Sequence, residues 1–315
     1  MPKSDWYSAF KHPDPNRWSL FSDTNIARHT QQRRVFQNLY SMSSLVSYES
    51  YVDECADLLQ GHLSQAARRR EGVDMMHWFQ CYAYDVIGNM TFSKRLGFLD
   101  RGDDVGGLLQ AGNGALVYSV LVGIYASWHP FLHKLSCWFR LGGARMRDQL
   151  ATFVGEQIGK RKKASQEDKP TPSGPATAED FLQKLMNKAS SEGSTKVTDY
   201  HLFALGLSNI TAGSDTTAAS LSGILYLLLK NPAAMEKMRA EVDGAATDGR
   251  FSDGHLAFKD SLQMPYLQAV IKEAMRVYSV TGLPMWRVVP AGGVEIGGTF
   301  FPEGSHLGIN PCGRR

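Results

Sequence analysis

A chain of 315 residues is long enough for one large domain or two. A formal charge of +3 is too small to mark a nucleic-acid surface, and four scattered cysteines with no Cys-x-x-Cys pair point to a reducing compartment rather than a disulfide framework. No stretch reaches the roughly 18–20 apolar residues of a membrane-spanning helix, and the polar opening at residues 1–14 lacks the pattern of a signal peptide.

Helical periodicity dominates the chain, so the expected fold class is mainly α, with one small β-hairpin near the C-terminus. An early helix sets His29 and Arg33 four residues apart, on one face. Helices follow over residues 41–67 and 74–90. Residues 115–128 make an apolar run of about a dozen residues, holding Ser119 and Gly123, that reads as a core helix. The next helix covers 143–163. Its charged end at 160–163, like the arginines at 68–70, reads as a solvated terminus, the alternative being a basic docking face. Residues 164–180 are polar and proline-rich and are expected to form a disordered linker. Thr198 and Asp199 cap a long central helix, Asn231-Pro232 ends it, and a short charged helix covers 235–244. Pro265 opens a helix whose apolar spacing runs through Leu267, Val270, Ile271, Ala274 and Tyr278. Residues 294–301 form a hairpin pattern over Gly297-Gly298.

The central helix carries a conflict. Leu202, Phe203, Leu205 and Leu207 precede a polar run at 208–220, and Leu221, Ile224, Leu225, Leu227, Leu228 and Leu229 follow it. A helix apolar nearly all round is a buried one, yet burying Asp215 alone costs roughly several kcal/mol. Gly213 inside a helix costs about 1 kcal/mol against alanine. Such conflicts tend to mark functional sites. Thr216 can bond back to Ala212, and Thr217 to Gly213, which bends a helix and opens a groove for a flat cofactor, a ligand or water. Asp215 and Thr216 then supply an acid and an alcohol at its lip, suited to relaying protons. The alternative is a helix crossing packed through small residues.

Glu273 and Arg276 lie three apart and share a face, as do Glu236 and Arg239. Only the first pair is followed by Leu283-Pro-Met-Trp-Arg-Val-Val-Pro-Ala-Gly-Gly293 and then the hairpin. With these residues the chain resembles the cytochrome P-450 superfamily, the heme-thiolate monooxygenases. Ala212-Gly213-Ser214-Asp215-Thr216-Thr217 resembles the family's oxygen-activating helix. Glu273-Ala-Met-Arg276 resembles its Glu-x-x-Arg helix, and Arg287 the arginine that meets a heme propionate. His29 and Arg33 resemble the residues of an earlier helix that hold the propionates. Arg34-Val-Phe-Gln-Asn-Leu-Tyr-Ser-Met42 and Tyr84-Asp-Val-Ile-Gly88 are similar to fungal, pisatin-demethylase-like members.

The resemblance implies a single partial domain over residues 1–315, the central-to-late part of the cytochrome P-450 fold, with helices on both sides of the linker supplying one heme site. It implies Asp215 and Thr216 as catalytic residues for proton delivery, and His29, Arg33, Ala212, Gly213 and Arg287 as cofactor-binding. Glu273 and Arg276 are implied to be a buried structural pair under the heme. It also implies an apolar small-molecule substrate, an NADPH-dependent flavoprotein reductase as partner, and an intracellular place on the endoplasmic reticulum membrane for a full-length form. The family's Phe-x-x-Gly-x-Arg-x-Cys-x-Gly loop, which supplies the axial thiolate, has no match; Cys312-Gly-Arg-Arg315 does not continue the pattern. No metal ligand is therefore expected among these residues, and the chain reads as truncated at both ends. An inactive fragment or a helical binding protein is the alternative reading, with loose packing and exposed apolar faces.

Overall fold

A computed structural model describes residues 1–14, 16–139, 142–166, 179–191 and 197–309. The helices in chain order are α1 (Ile26–Phe36), α2 (Met42–Val46), α3 (Glu49–Arg69), α4 (Met75–Phe92), α5 (Phe98–Arg101), α6 (Leu108–Gly123), α7 (His129–Trp138), α8 (Gly142–Gln166) and α9 (Phe181–Ser191). They continue as α10 (Asp199–Gly213), α11 (Asp215–Lys230), α12 (Pro232–Thr247), α13 (Phe258–Ser261) and α14 (Pro265–Val277). The described strands are β1 (Phe251–Ser252), β2 (His255–Leu256), β3 (Arg287–Val288), β4 (Val294–Ile296), β5 (Thr299–Phe301) and β6 (His306–Leu307), joined as three antiparallel pairs, β1–β2, β3–β6 and β4–β5. The mainly helical class with a late hairpin is as expected.

Local chemistry explains most helix starts. Asn25 accepts from the Arg28 amide at 3.0 Å, and Asp74 from the His77 amide at 3.2 Å. Thr198 and His201 form a reciprocal capping box at α10. Pro232 and Pro265 open α12 and α14, where a missing N–H costs nothing. The hairpin turns at Gly297 and Gly298, both at positive φ (58° and 77°), as a tight two-residue turn demands.

Three expectations are corrected. The helix expected over 41–67 is broken between α2 and α3, because Tyr48 is fully buried, 4.9 Å from the Phe181 ring and under the Lys184 ammonium at 4.2 Å; the chain bends to bury it. The expected linker at 164–180 is partly ordered. Helix α8 runs through Gln166 and Asp180 is buried against Arg161, while residues 167–178 lie outside the described residues. The central helix is not buried throughout. Leu202, Leu205 and Ile210 of α10 are enclosed, but Tyr226 and Leu229 of α11 are 59% and 64% exposed. Among the described residues, nothing covers that side of α11.

The core gathers α3, α4, α8, α9 and α10 around Tyr51, Tyr84, Leu150, Val154, Phe181, Leu185 and Leu205. The buried Asp85 carboxylate pins the turn after α4, accepting from the amides of Gly97, Phe98 and Leu99 at 2.8, 3.2 and 2.9 Å. Packing is tight there. A Cβ at Gly88 would lie 2.7 Å from Leu96 Cγ and 2.9 Å from the Lys94 carbonyl oxygen. Gly88→Ala therefore overpacks, at a cost of about 1–3 kcal/mol that exceeds the gain in helix propensity of about 1 kcal/mol. Urea unfolding is expected to show net destabilisation; a stabilised variant refutes this close approach.

Candidate active site at the bend of the central helix

The polar run folds as a helix that bonds to itself. Thr211 Oγ1 donates to the Leu207 carbonyl at 2.7 Å, Ser214 Oγ to Ile210 at 2.9 Å and Thr216 Oγ1 to Ala212 at 2.7 Å. These back-bonds loosen the ladder, and the helix divides at Ser214 (φ −83°, ψ −63°) into α10 and α11. Ser208, Thr211, Ala212 and Thr216 form an exposed face there. Gly213 turns toward α4, where a Cβ would lie 3.2 Å from the Ile87 side chain. Thr217 is exposed, and the structure gives it no bond to Gly213 of the kind expected.

Asp215 departs from the expectation that it joins Thr216 at an open lip. It is half-buried and turns toward α4 and α6, where Gln80 Nε2 donates to its Oδ1 at 3.3 Å. Gly112 makes room for it: a Cβ there would lie 3.7 Å from Asp215 Oδ2 and 3.1 Å from Tyr84 Oη. Burial raises the Asp215 pKa, and the Gln80 bond offsets this in part. Burial first, and then the Asp215 charge, push the Tyr84 phenol upward in turn.

A second set of residues is cationic. Arg287, on β3, donates from Nη1 to Tyr7 Oη at 2.5 Å and to the Met285 and Trp286 carbonyls at 2.8 and 3.1 Å. The N-terminal segment pairs with this strand, bridging Lys3 to Arg287, with the Val288 amide bonded to the Pro2 carbonyl at 2.9 Å. Lys3 Nζ donates to the carbonyls of Leu20 and Phe21 at 2.8 and 2.7 Å. Its pKa is lowered by burial and then by the Arg287 charge. His29, half-buried on α1, is lowered by burial, then by Lys3, with Arg33 adding to the effect. Lys3 thus links His29 and Arg33 to Arg287. Asp23 is already held by Arg28 through two bonds of 2.7 and 2.9 Å. Among the described residues no carboxylate forms an ion pair with Lys3, Arg33 or Arg287. Helix α1 is tied to α10 by the Gln32–His201 bond at 2.6 Å.

Glu273 and Arg276 form a two-fold bond, 2.7 and 2.6 Å, but they are not buried: the side chains are 61% and 60% exposed. Helix α14 packs on α11 and α12 through its other face, with Ala274 enclosed. The hydrogen bonds between them, and then each partner's charge, lower the Glu273 pKa and raise that of Arg276. Of the cysteines, Cys55 and Cys81 are buried and their thiols pushed up to about 12 and about 11, so they stay neutral. Cys137 lies on α7 beside His133, and Cys312 is outside the described residues.

Lys3, Tyr7 and Gln80 escaped the sequence reading. No local pattern marks them; Lys3 and Tyr7 reach Arg287 only because the start of the chain closes against β3.

Comparison with known proteins identifies the family and the fold. Residues 1–314 match the family described as Cytochrome P450. A pisatin demethylase of Fusarium vanettenii is 35% identical over 98% of the chain and 58% of its own length. A cytochrome P450 monooxygenase of Aspergillus terreus is also 35% identical, over 98% of the chain and 62% of its own length. A crystal structure of a cytochrome P450 superposes with a TM-score of 0.73 at 17% identity, covering 98% of this chain and 63% of that one, a likeness of fold. The chain belongs to the cytochrome P450 family, and it spans about three-fifths of the length of the curated relatives it matches.

The cofactor this family implies is heme, an iron porphyrin with two anionic propionates. The cations fit the anionic edge, because Lys3, Arg33 and Arg287 have no described counter-ion and arginine matches carboxylate geometry. The exposed face at Ala212 and Thr216 fits a flat group. No described cysteine is poised as a thiolate ligand.

Proposed function

We propose that this chain carries the oxygen-side face and the propionate edge of a heme-dependent monooxygenase acting on an apolar small molecule. The observation that carries the reading is the bent helix, with Ala212 and Thr216 exposed and Asp215 drawn back against Gln80. When bound, the heme supplies iron-centred oxidation chemistry that no side chain here provides. Lys3, His29, Arg33 and Arg287 hold its propionates, and Ala212 leaves room for its flat face, whereas Gly213, expected to share that role, faces Ile87 of α4 instead. Asp215 holds a proton more readily than an exposed carboxyl does, and Thr216 passes protons from that side of the helix to the open side. Glu273 and Arg276 brace α14. The fungal relatives, a pisatin demethylase and a cytochrome P450 monooxygenase among them, support the monooxygenase class; a role in secondary metabolism or detoxification and electrons from an NADPH-dependent flavoprotein reductase extend that reading.

Among the described residues no single helix is long and apolar enough to cross a membrane. The run at 115–128, for which the family resemblance implies a substrate-channel cover able to touch membrane as the alternative to a core helix, exposes Leu121, Ile124, Tyr125 and Trp128 by 60%, 67%, 67% and 59%. Such a patch supports contact with a membrane surface, consistent with an intracellular membrane-bound form.

Titration of the chain with hemin, followed by its absorbance, tests the cofactor reading. Saturable one-to-one uptake is expected, weakened about tenfold or more in Arg287→Gln, which loses charge-assisted bonds. Uptake that is absent, or equal in the variant, sinks it and favours a helical binding protein.

A further inference from the structure

A crevice of about 560 Å³ opens between residues 12–14 and helix α7, within the range of about 300–1,000 Å³ typical of small-molecule sites. Its walls are Pro13 and Pro130, with His12, Asp14, His133, Lys134 and Cys137. None of these belongs to the heme reading.

His133 is the anomaly. It is 6% exposed, and its Nε2 is enclosed with no hydrogen-bond partner. Buried polar atoms are nearly always paired. Its Nδ1 faces Cys137 Sγ at 3.8 Å, and that sulfur lies 3.8 Å from Asp148 Oδ2. The ring meets His12 and His129 edge-on, with centroids 5.0 and 5.7 Å away.

The neighbours are differently committed. His129 is fully satisfied: its Nε2 donates to the Lys11 carbonyl at 3.0 Å, and its Nδ1 accepts from Tyr118 Oη at 3.1 Å. Burial holds its pKa at about 4, so it is neutral. His12 Nδ1 accepts from the Asp14 amide at 3.0 Å, leaving Nε2 as an N–H donor. Arg147 reaches the Lys11 and Ala9 carbonyls and Ser119 Oγ, each at 2.8 Å, and none of these acceptors is charged. Arg17 and Lys134 add cationic charge around the crevice, and Asp14 and Asp148 oppose it. Three cations against two carboxylates leave the surroundings of the crevice positive, although of these only Lys134 and Asp14 line it.

We propose that this crevice is a second small-molecule site, taking a carboxylate carried on a flat apolar body. The carboxylate accepts from His12 Nε2–H and pairs with the Lys134 ammonium, a small shift of the His133 side chain opens its enclosed Nε2–H to it, and the ring lies against the prolines. As an imidazolium, His133 satisfies both nitrogens, donating to Cys137 Sγ and to the ligand, so binding draws a proton from solvent. His12 and His133 are held low by burial, and Arg17 and Arg147 add to this. A bound anion offsets those cations and raises both groups, so affinity increases as pH falls.

Benzoate is the probe, with the chain titrated by calorimetry. Benzoate is expected to bind with uptake of protons, more tightly at pH 6 than at pH 8; benzamide, of the same shape but neutral, is expected to bind at least about tenfold more weakly. His133→Phe is expected to lose benzoate binding yet keep its thermal midpoint, because it removes an unpaired buried nitrogen. Lys134→Gln, a change on the crevice rim, weakens binding several-fold. Hemin uptake by His133→Phe stays that of the native chain, which separates this site from the heme reading. Equal affinity for benzamide, retained binding by a folded His133→Phe, or affinity unchanged between the two pH values overturns the proposal.

Discussion

Asp180→Ala is expected to destabilise the chain by about 3–5 kcal/mol, the effect of removing one partner of a buried ion pair. Its carboxylate is fully enclosed, and the Arg161 side chain is only 6% exposed. Oδ2 accepts from Arg161 Nη2 and from Ser93 Oγ at 2.6 Å. Oδ1 accepts from the Gln183 amide at 2.7 Å, capping α9. One side chain therefore joins α8, the end of α4 and the start of α9. Alanine removes the counter-charge from Arg161, which also donates to the Phe92 carbonyl at 2.8 Å, and it removes the cap, worth about 1 kcal/mol alone. The double change Asp180→Leu with Arg161→Met is expected to recover most of the loss, because apolar replacements of buried pairs are tolerated. Urea unfolding near neutral pH reads both. A loss for Asp180→Ala below about 1 kcal/mol places the pair in solvent instead.

That residue also shows where the sequence stops being legible. Asp180 closes a segment rich in proline and polar residues, and composition marks such segments as disordered. Its partner lies on another helix, and only the fold brings them together. The break at Tyr48 has the same cause, a long-range burial that overrides helical periodicity. What periodicity and capping chemistry control was legible: Asp74, Thr198 and Pro265 mark their helix starts, Asn231-Pro232 marks the end of the central run, and Gly297-Gly298 marks the hairpin. At the site, the back-bond from Thr216 to Ala212 follows from spacing alone. The direction taken by Asp215 does not, since it depends on Gln80 of α4 and on the space left by Gly112 of α6. Glu273 and Arg276 share a face as their spacing requires, but spacing cannot tell which face of a helix is covered.

On the proposed monooxygenase reading, in a full-length form that supplies the thiolate, Asp215→Asn is expected to lower turnover about 100-fold, and in this chain to make the fold more stable at neutral pH. Asparagine still accepts from Gln80 but cannot gain or lose the proton. The stability change follows from linkage. The folded-state pKa of Asp215 lies above its ordinary 3.8, so the folded protein binds more protons between the two values. This group's contribution is therefore fully favourable below 3.8, and it is lost as pH rises through the folded value. Above that value the ionised carboxylate opposes folding by a constant amount, which asparagine avoids. The advantage of the variant should grow across that window and then level off. Unfolding midpoints measured from acid to neutral pH read this, and an advantage largest in acid contradicts it. Thr216→Ala separates the relay from the charge, since it removes the hydroxyl on the open face and the back-bond to Ala212 but leaves Asp215 in place. On the proposed monooxygenase reading its expected mark, in the full-length form, is reducing equivalents lost to peroxide rather than product, with little change in stability. Coupled turnover equal to that of the native enzyme would show that protons reach the open face by a route other than this bend.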